Sequence, residues 1–131
     1  MSTRCNVLVK DKYSEQWFYR HSDGYPSVTA VSLQKFVNWL DKGIIRDNVS
    51  QGSSWLIIMG NTEYSKDESR CTPEPSEEDE CYGWKVGAYE ITSCKHGDIE
   101  YLYTIDMHAK TVTVDETTYS YKDFTAHDFS E

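Results

Sequence analysis

The sequence has no long apolar run. Its longest, Trp55–Met59, falls far short of the roughly 18 apolar residues that cross a membrane. The opening residues, Met-Ser-Thr-Arg-Cys-Asn, lack the apolar segment of a secretory signal. Both absences lead to the expectation of a cytosolic protein. Positive charge is scarce: 13 Lys and Arg stand against 22 Asp and Glu, a formal net charge of −9. Free DNA or RNA is excluded as a partner, because phosphate contacts need surplus Lys and Arg. An anionic membrane surface is disfavoured for the same reason. A basic protein surface, such as the nucleic-acid channel of another protein, suits this balance.

Familiar chemical signatures are also missing. The cysteines Cys5, Cys71, Cys81 and Cys94 show no C-x-x-C spacing, which argues against a zinc knuckle or a thioredoxin-type centre. In a cytosol they stay reduced. There is no Gly-x-Ser-x-Gly elbow. There is no glycine-rich phosphate loop either, since Gly52 and Gly60 have the wrong spacing and no accompanying Lys. No cofactor and no metal are expected.

What is present is enough for a core. With 131 residues, 38% of them hydrophobic and 14% aromatic, the chain fits a single domain spanning 1–131. Cys5–Val9 reads as a strand with Cys5, Val7 and Val9 on one face. Gln16–Arg20 reads as its hairpin partner, followed by turn punctuation at Asp23-Gly24-Tyr25-Pro26. Leu33, Phe36, Val37 and Leu40 follow helical spacing from Ser32, with Ser27 and Thr29 as earlier possible starts and Gly43 as the stop. Ser50–Tyr64 fits a short helix better than a buried strand. Trp84–Thr92, Asp98–Asp106 and Thr111–Asp115 read as strands, and Tyr119–Phe124 as a short sixth. No β-α-β alternation demands a parallel sheet. The expected fold class is α+β: a mostly antiparallel sheet of five or six strands with one or two helices packed on one face.

One segment shifts in composition. Within 66–80, Asp67, Glu68, Glu74, Glu77, Glu78, Asp79 and Glu80 face only Lys66 and Arg70, and two prolines but no aromatics accompany them. Such a stretch buries too little to order itself and is expected to be an exposed acidic loop. It is the candidate partner-binding surface.

Two polar clusters could carry chemistry. Tyr19-Arg20-His21-Ser22-Asp23-Gly24-Tyr25 delivers Arg, His and Asp within four residues, suited to an anion or nucleotide cradle. Equally, it reads as a rigid turn with an exposed His and an Asp capping local backbone. His96-Gly97-Asp98 repeats the His-x-Asp spacing. Together with Arg4, the candidate ligand-binding set is Arg4, Arg20, His21, Asp23, Tyr25, His96 and Asp98. The strand aromatics fit packing better than base stacking.

The Thr3-Arg4 opening, the Tyr19–Pro26 motif and the Leu33/Phe36 helix resemble a widespread group of small uncharacterised bacterial and phage proteins. Trp84–Tyr89 and His96–Tyr101 resemble further motifs of its closer members. The group brings no established activity. The resemblance implies a mobile-element setting, in which small acidic proteins often antagonise host defence. The leading expectation is thus a non-enzymatic, anti-CRISPR-like inhibitor that sets acidic surface against a basic nucleic-acid-binding site of a host protein or nucleoprotein. A nucleotide-binding or nucleotide-sequestering module around Arg20, His21 and Asp23 is the second. A small nucleotide-processing hydrolase using the same residues with His96 is the third.

Overall fold

The computed structural model describes residues 3–63 and 87–130. The expected acidic loop, with its candidate residues Asp67, Glu68, Glu74, Glu77, Glu78, Asp79 and Glu80, lies outside the described residues, as do Cys71, Cys81 and Trp84. The elements run β1 (Cys5–Lys10), β2 (Glu15–Arg20), α1 (Thr29–Asp41), α2 (Val49–Glu63), β3 (Glu90–Thr92), β4 (Tyr101–Asp106), β5 (Thr111–Val114), β6 (Thr117–Ser120) and α3 (Tyr121–Ala126). The strands form one six-stranded sheet in the order β3-β2-β1-β4-β5-β6.

The α+β class holds, and the sheet is mixed. Four neighbouring pairs are antiparallel, but the two central strands, β1 and β4, run parallel. Parallel neighbours need a long crossover. Here it is split over a hairpin, two helices and an edge strand, so no simple β-α-β rhythm marks it in the sequence. Asp98–Glu100 belongs to the turn before β4, and among the described residues β3 keeps only Glu90–Thr92. The expected sixth strand at Tyr119–Phe124 is corrected: β6 ends at Ser120, and Tyr121–Ala126 is a third helix. The Ser120 side chain accepts a hydrogen bond from the Asp123 amide, an N-cap that outweighs the β propensity of Tyr119 and Tyr121.

α1 begins at Thr29, where the Thr29 hydroxyl donates to the Asp23 carbonyl at 2.7 Å. It ends at Gly43, whose φ of +68° permits a left-handed turn. The Gly43 amide reaches the Leu40 carbonyl and the Ile44 amide reaches Trp39, the paired hydrogen bonds of a Schellman cap. In α2 the Asn48 side chain caps the first turn by accepting from the Gln51 amide at 2.9 Å.

Sheet alternation sorts the side chains. Val7, Val9, Phe18, Tyr103, Ile105 and Val112 face the helices and are fully buried with Leu33, Phe36, Val37, Leu56 and Phe124. The three helices pack on that side. The opposite face carries Leu8, Trp17, Thr104 and Thr113, all half-buried, and no described helix covers it. None of the described helices is long and apolar enough to cross a membrane.

Candidate functional site

The Tyr19–Tyr25 cluster is divided by the two-residue period of β2. Arg20 and His21 are neighbours in sequence but leave the strand end on opposite sides. Arg20 points into the core and is 1% exposed. It forms a bidentate pair with Glu63 at the end of α2, donates from Nε to the Ser22 carbonyl at 2.9 Å and lies 5.2 Å over the Tyr89 ring. The Tyr89 hydroxyl in turn donates to Ser32 Oγ on α1 at 2.8 Å. Arg20 therefore ties β2, α2 and the residue before β3 together, and its donors face inward, away from any ligand at the surface. Burial raises the Tyr89 phenol far above its ordinary range, although Arg20 opposes the shift.

His21 joins a different group. Its Nδ1 receives the Arg4 Nε–H at 3.5 Å and sits 3.2 Å from the Tyr19 hydroxyl. Arg4 also reaches Asp98 at 3.5 Å. The His96 ring stacks on Tyr19 with centroids 4.1 Å apart and planes 14° from parallel. The two loops at 20–25 and 96–100 thus meet over the end of β1, with Tyr19 between the two imidazoles. Burial raises the Tyr19 phenol, Asp98 adds to the shift and Arg4 opposes it.

The floor of this cluster is Asn6, a fully buried polar residue. Its amide donates to the Phe18 carbonyl at 2.8 Å, and its side-chain oxygen accepts the His96 amide at 2.7 Å. His96 Nε2 lies 3.0 Å from the Thr92 hydroxyl, and the Glu100 amide donates to the Arg4 carbonyl at 2.8 Å. The contacts of His96 and Glu100 fix the 93–100 loop to the sheet, and the Asn6–Phe18 bond holds Asn6 in place for them. Asn6 was legible only as a polar interruption in Cys5-Asn6-Val7; its role depends on a loop 90 residues away.

Asp23 and Tyr25 serve the turn. Asp23 takes a positive φ of 59°, a conformation Asp tolerates, and accepts from the Tyr25 hydroxyl at 3.3 Å. Gly24 is needed for close approach instead. Its amide donates to the Thr3 carbonyl at 2.9 Å and its carbonyl accepts from the buried Tyr103 hydroxyl at 2.7 Å. A Cβ there would stand 2.9 Å from both Cys5 Cβ and the Thr3 oxygen.

Among the described residues, no group of three or more His, Cys, Asp or Glu converges to hold a metal. The His21/Asp23 and His96/Asp98 pairs engage Arg4, Tyr19, Tyr25 and Thr92. A groove of about 480 Å³ runs between α1 and α2, lined by Val28, Val31, Lys35, Met59 and Glu63 among others. It lies on the helical side of the sheet, opposite the Arg4–His21–His96 cluster. No family model, curated protein or solved structure matches the chain.

Proposed function

We propose that the protein is a non-enzymatic binding protein of the phage or mobile-element type. It occupies the basic nucleic-acid-binding surface of a host defence effector, such as a CRISPR nucleoprotein, and thereby inhibits it. The observation that carries this reading is charge: a net −9 on 131 residues, more than half of it in the 66–80 segment. Internal pairing of the polar clusters adds support, because Arg20 serves the core and Arg4, His21 and Asp98 bind one another. Affinity purification from a bacterial lysate at low salt, with mass spectrometry, tests it. The expected capture is a nucleic-acid-binding protein that is released as salt rises. Retention of a small molecule without any protein overturns the reading.

A nucleotide-binding module is the second reading, favoured by the meeting of the 20–25 and 96–100 loops. It now rests on Arg4, His21, His96 and Asp98 without Arg20. Loss of activity in His21→Ala, with the acidic residues intact, would select it.

A further inference from the structure

The uncovered face of the sheet has an ordered composition. Register places Thr92, Trp17, Leu8, Thr104, Thr113 and Thr118 in one row across all six strands. The row carries no charge, and its one large aromatic is Trp17. The adjacent row holds Glu15, Lys10 and Asp106 side by side. Lys10 is drawn to Asp106 at 4.0 Å, so acid is in surplus there. Trp17 Nε1–H donates to a Glu15 carboxylate oxygen at 3.0 Å. That bond fixes a carboxylate at the edge of an indole on a face that no described helix covers.

An indole face beside a carboxylate matches one side chain above others. A guanidinium stacks flat on an aromatic ring and still donates in its own plane to a carboxylate, whereas an ammonium is a compact, strongly hydrated point charge. A tryptophan anchor ringed by polar groups also has the composition of an interface hot spot. We propose that this face is where the basic protein partner docks, an arginine of the partner stacking on Trp17 and pairing with Glu15. The proposal rests on the charge-driven binding put forward above and names its contact surface.

Two probes of equal charge, nona-arginine and nona-lysine, test it by heteronuclear NMR on the full chain at low salt. The expected result is a saturable shift of the Trp17 indole N–H and of the Leu8 and Thr104 amides. Nona-arginine should bind several-fold more tightly than nona-lysine. Glu15→Gln should weaken the arginine peptide several-fold. Thr104→Arg should abolish the response while the Tyr103 and Ile105 signals keep their folded positions; should that variant unfold, Glu15→Gln carries the test. Equal affinities for the two peptides, or shifts confined to residues away from this face, overturn the docking surface and leave the charge-driven reading standing. Absence of saturable binding to either peptide overturns that reading as well.

Discussion

Gly24 and Arg20 show how little the residue type alone reveals. The Asp-Gly turn suggests a positive φ at the glycine, yet the left-handed residue is Asp23. Gly24 is instead wedged against Cys5 and Thr3. Gly24→Val is therefore expected to destabilise by about 1–3 kcal/mol through overpacking, read by denaturant unfolding. Unchanged stability would mean that the N-terminal segment yields freely. Arg20 presents itself in sequence as a ligand-gripping residue, but its carboxylate partner Glu63 lies 43 residues away. Glu63→Gln takes the bidentate carboxylate away from buried Arg20. Losing one partner of a buried pair costs about 3–5 kcal/mol, and at 18% exposure of Glu63 the lower end is expected. The double variant Arg20→Met with Glu63→Leu should lose less than Glu63→Gln alone, because two apolar side chains need no charge compensation. Cys5 offers a chemical check: burial pushes its thiol up to about 12, while Cys94 is exposed. Brief treatment of the native protein with iodoacetamide should label Cys94 and spare Cys5, as mapped by peptide mass spectrometry.

Elements whose signals are local were legible. The Cys5–Val9 alternation, the Leu33–Leu40 spacing and the Gly43 stop all lie within a few residues, and all appear in the fold. What the sequence hid is set by contacts across the chain or by competing local signals. The parallel β1–β4 pairing has no marker because helices, an edge strand and the residues between them interrupt the crossover. At Tyr119–Phe124, aromatic β propensity competes with the Ser120 cap, and the cap prevails. Ser120→Ala is expected to cost about 1 kcal/mol, and hydrogen exchange should show the Tyr121–Ala126 amides losing protection first. The candidate site was legible as two patches of residues. Their meeting was not, because Asn6 reads as an ordinary strand position and the contacts of Asn6 and Tyr19 with His96 span residues far apart in sequence.

On the scale of the whole molecule, more than half of the net charge falls in one segment. The 66–80 segment has no large apolar residue, and loop closure is insensitive to length: halving a loop changes it by only about 0.6 kcal/mol. Replacing Lys66–Glu80 by a short Gly/Ser linker should leave the melting temperature within a few degrees. Changing Glu77, Glu78, Asp79 and Glu80 to Gln and Asn should slow association with the partner several-fold at low salt. The two proteins should converge as the Debye length shrinks below about 8 Å. Surface plasmon resonance at graded salt reads both effects.

The central pairing of the sheet also governs when this protein can exist. Cys5 lies opposite Tyr101, and Lys10 opposite Asp106. Until the ribosome has released the chain beyond β4, one long side of β1 has no partner and Val7 and Val9 have no complete core to enter. A nascent chain halted before residue 100 lacks β4, the parallel partner of β1. Unpaired strand edges of this kind invite association between chains. The sheet is thus expected to close only after β4 has emerged from the ribosome. Arrest-peptide force measurements should register folding only once β4, Tyr101–Asp106, has left the exit tunnel.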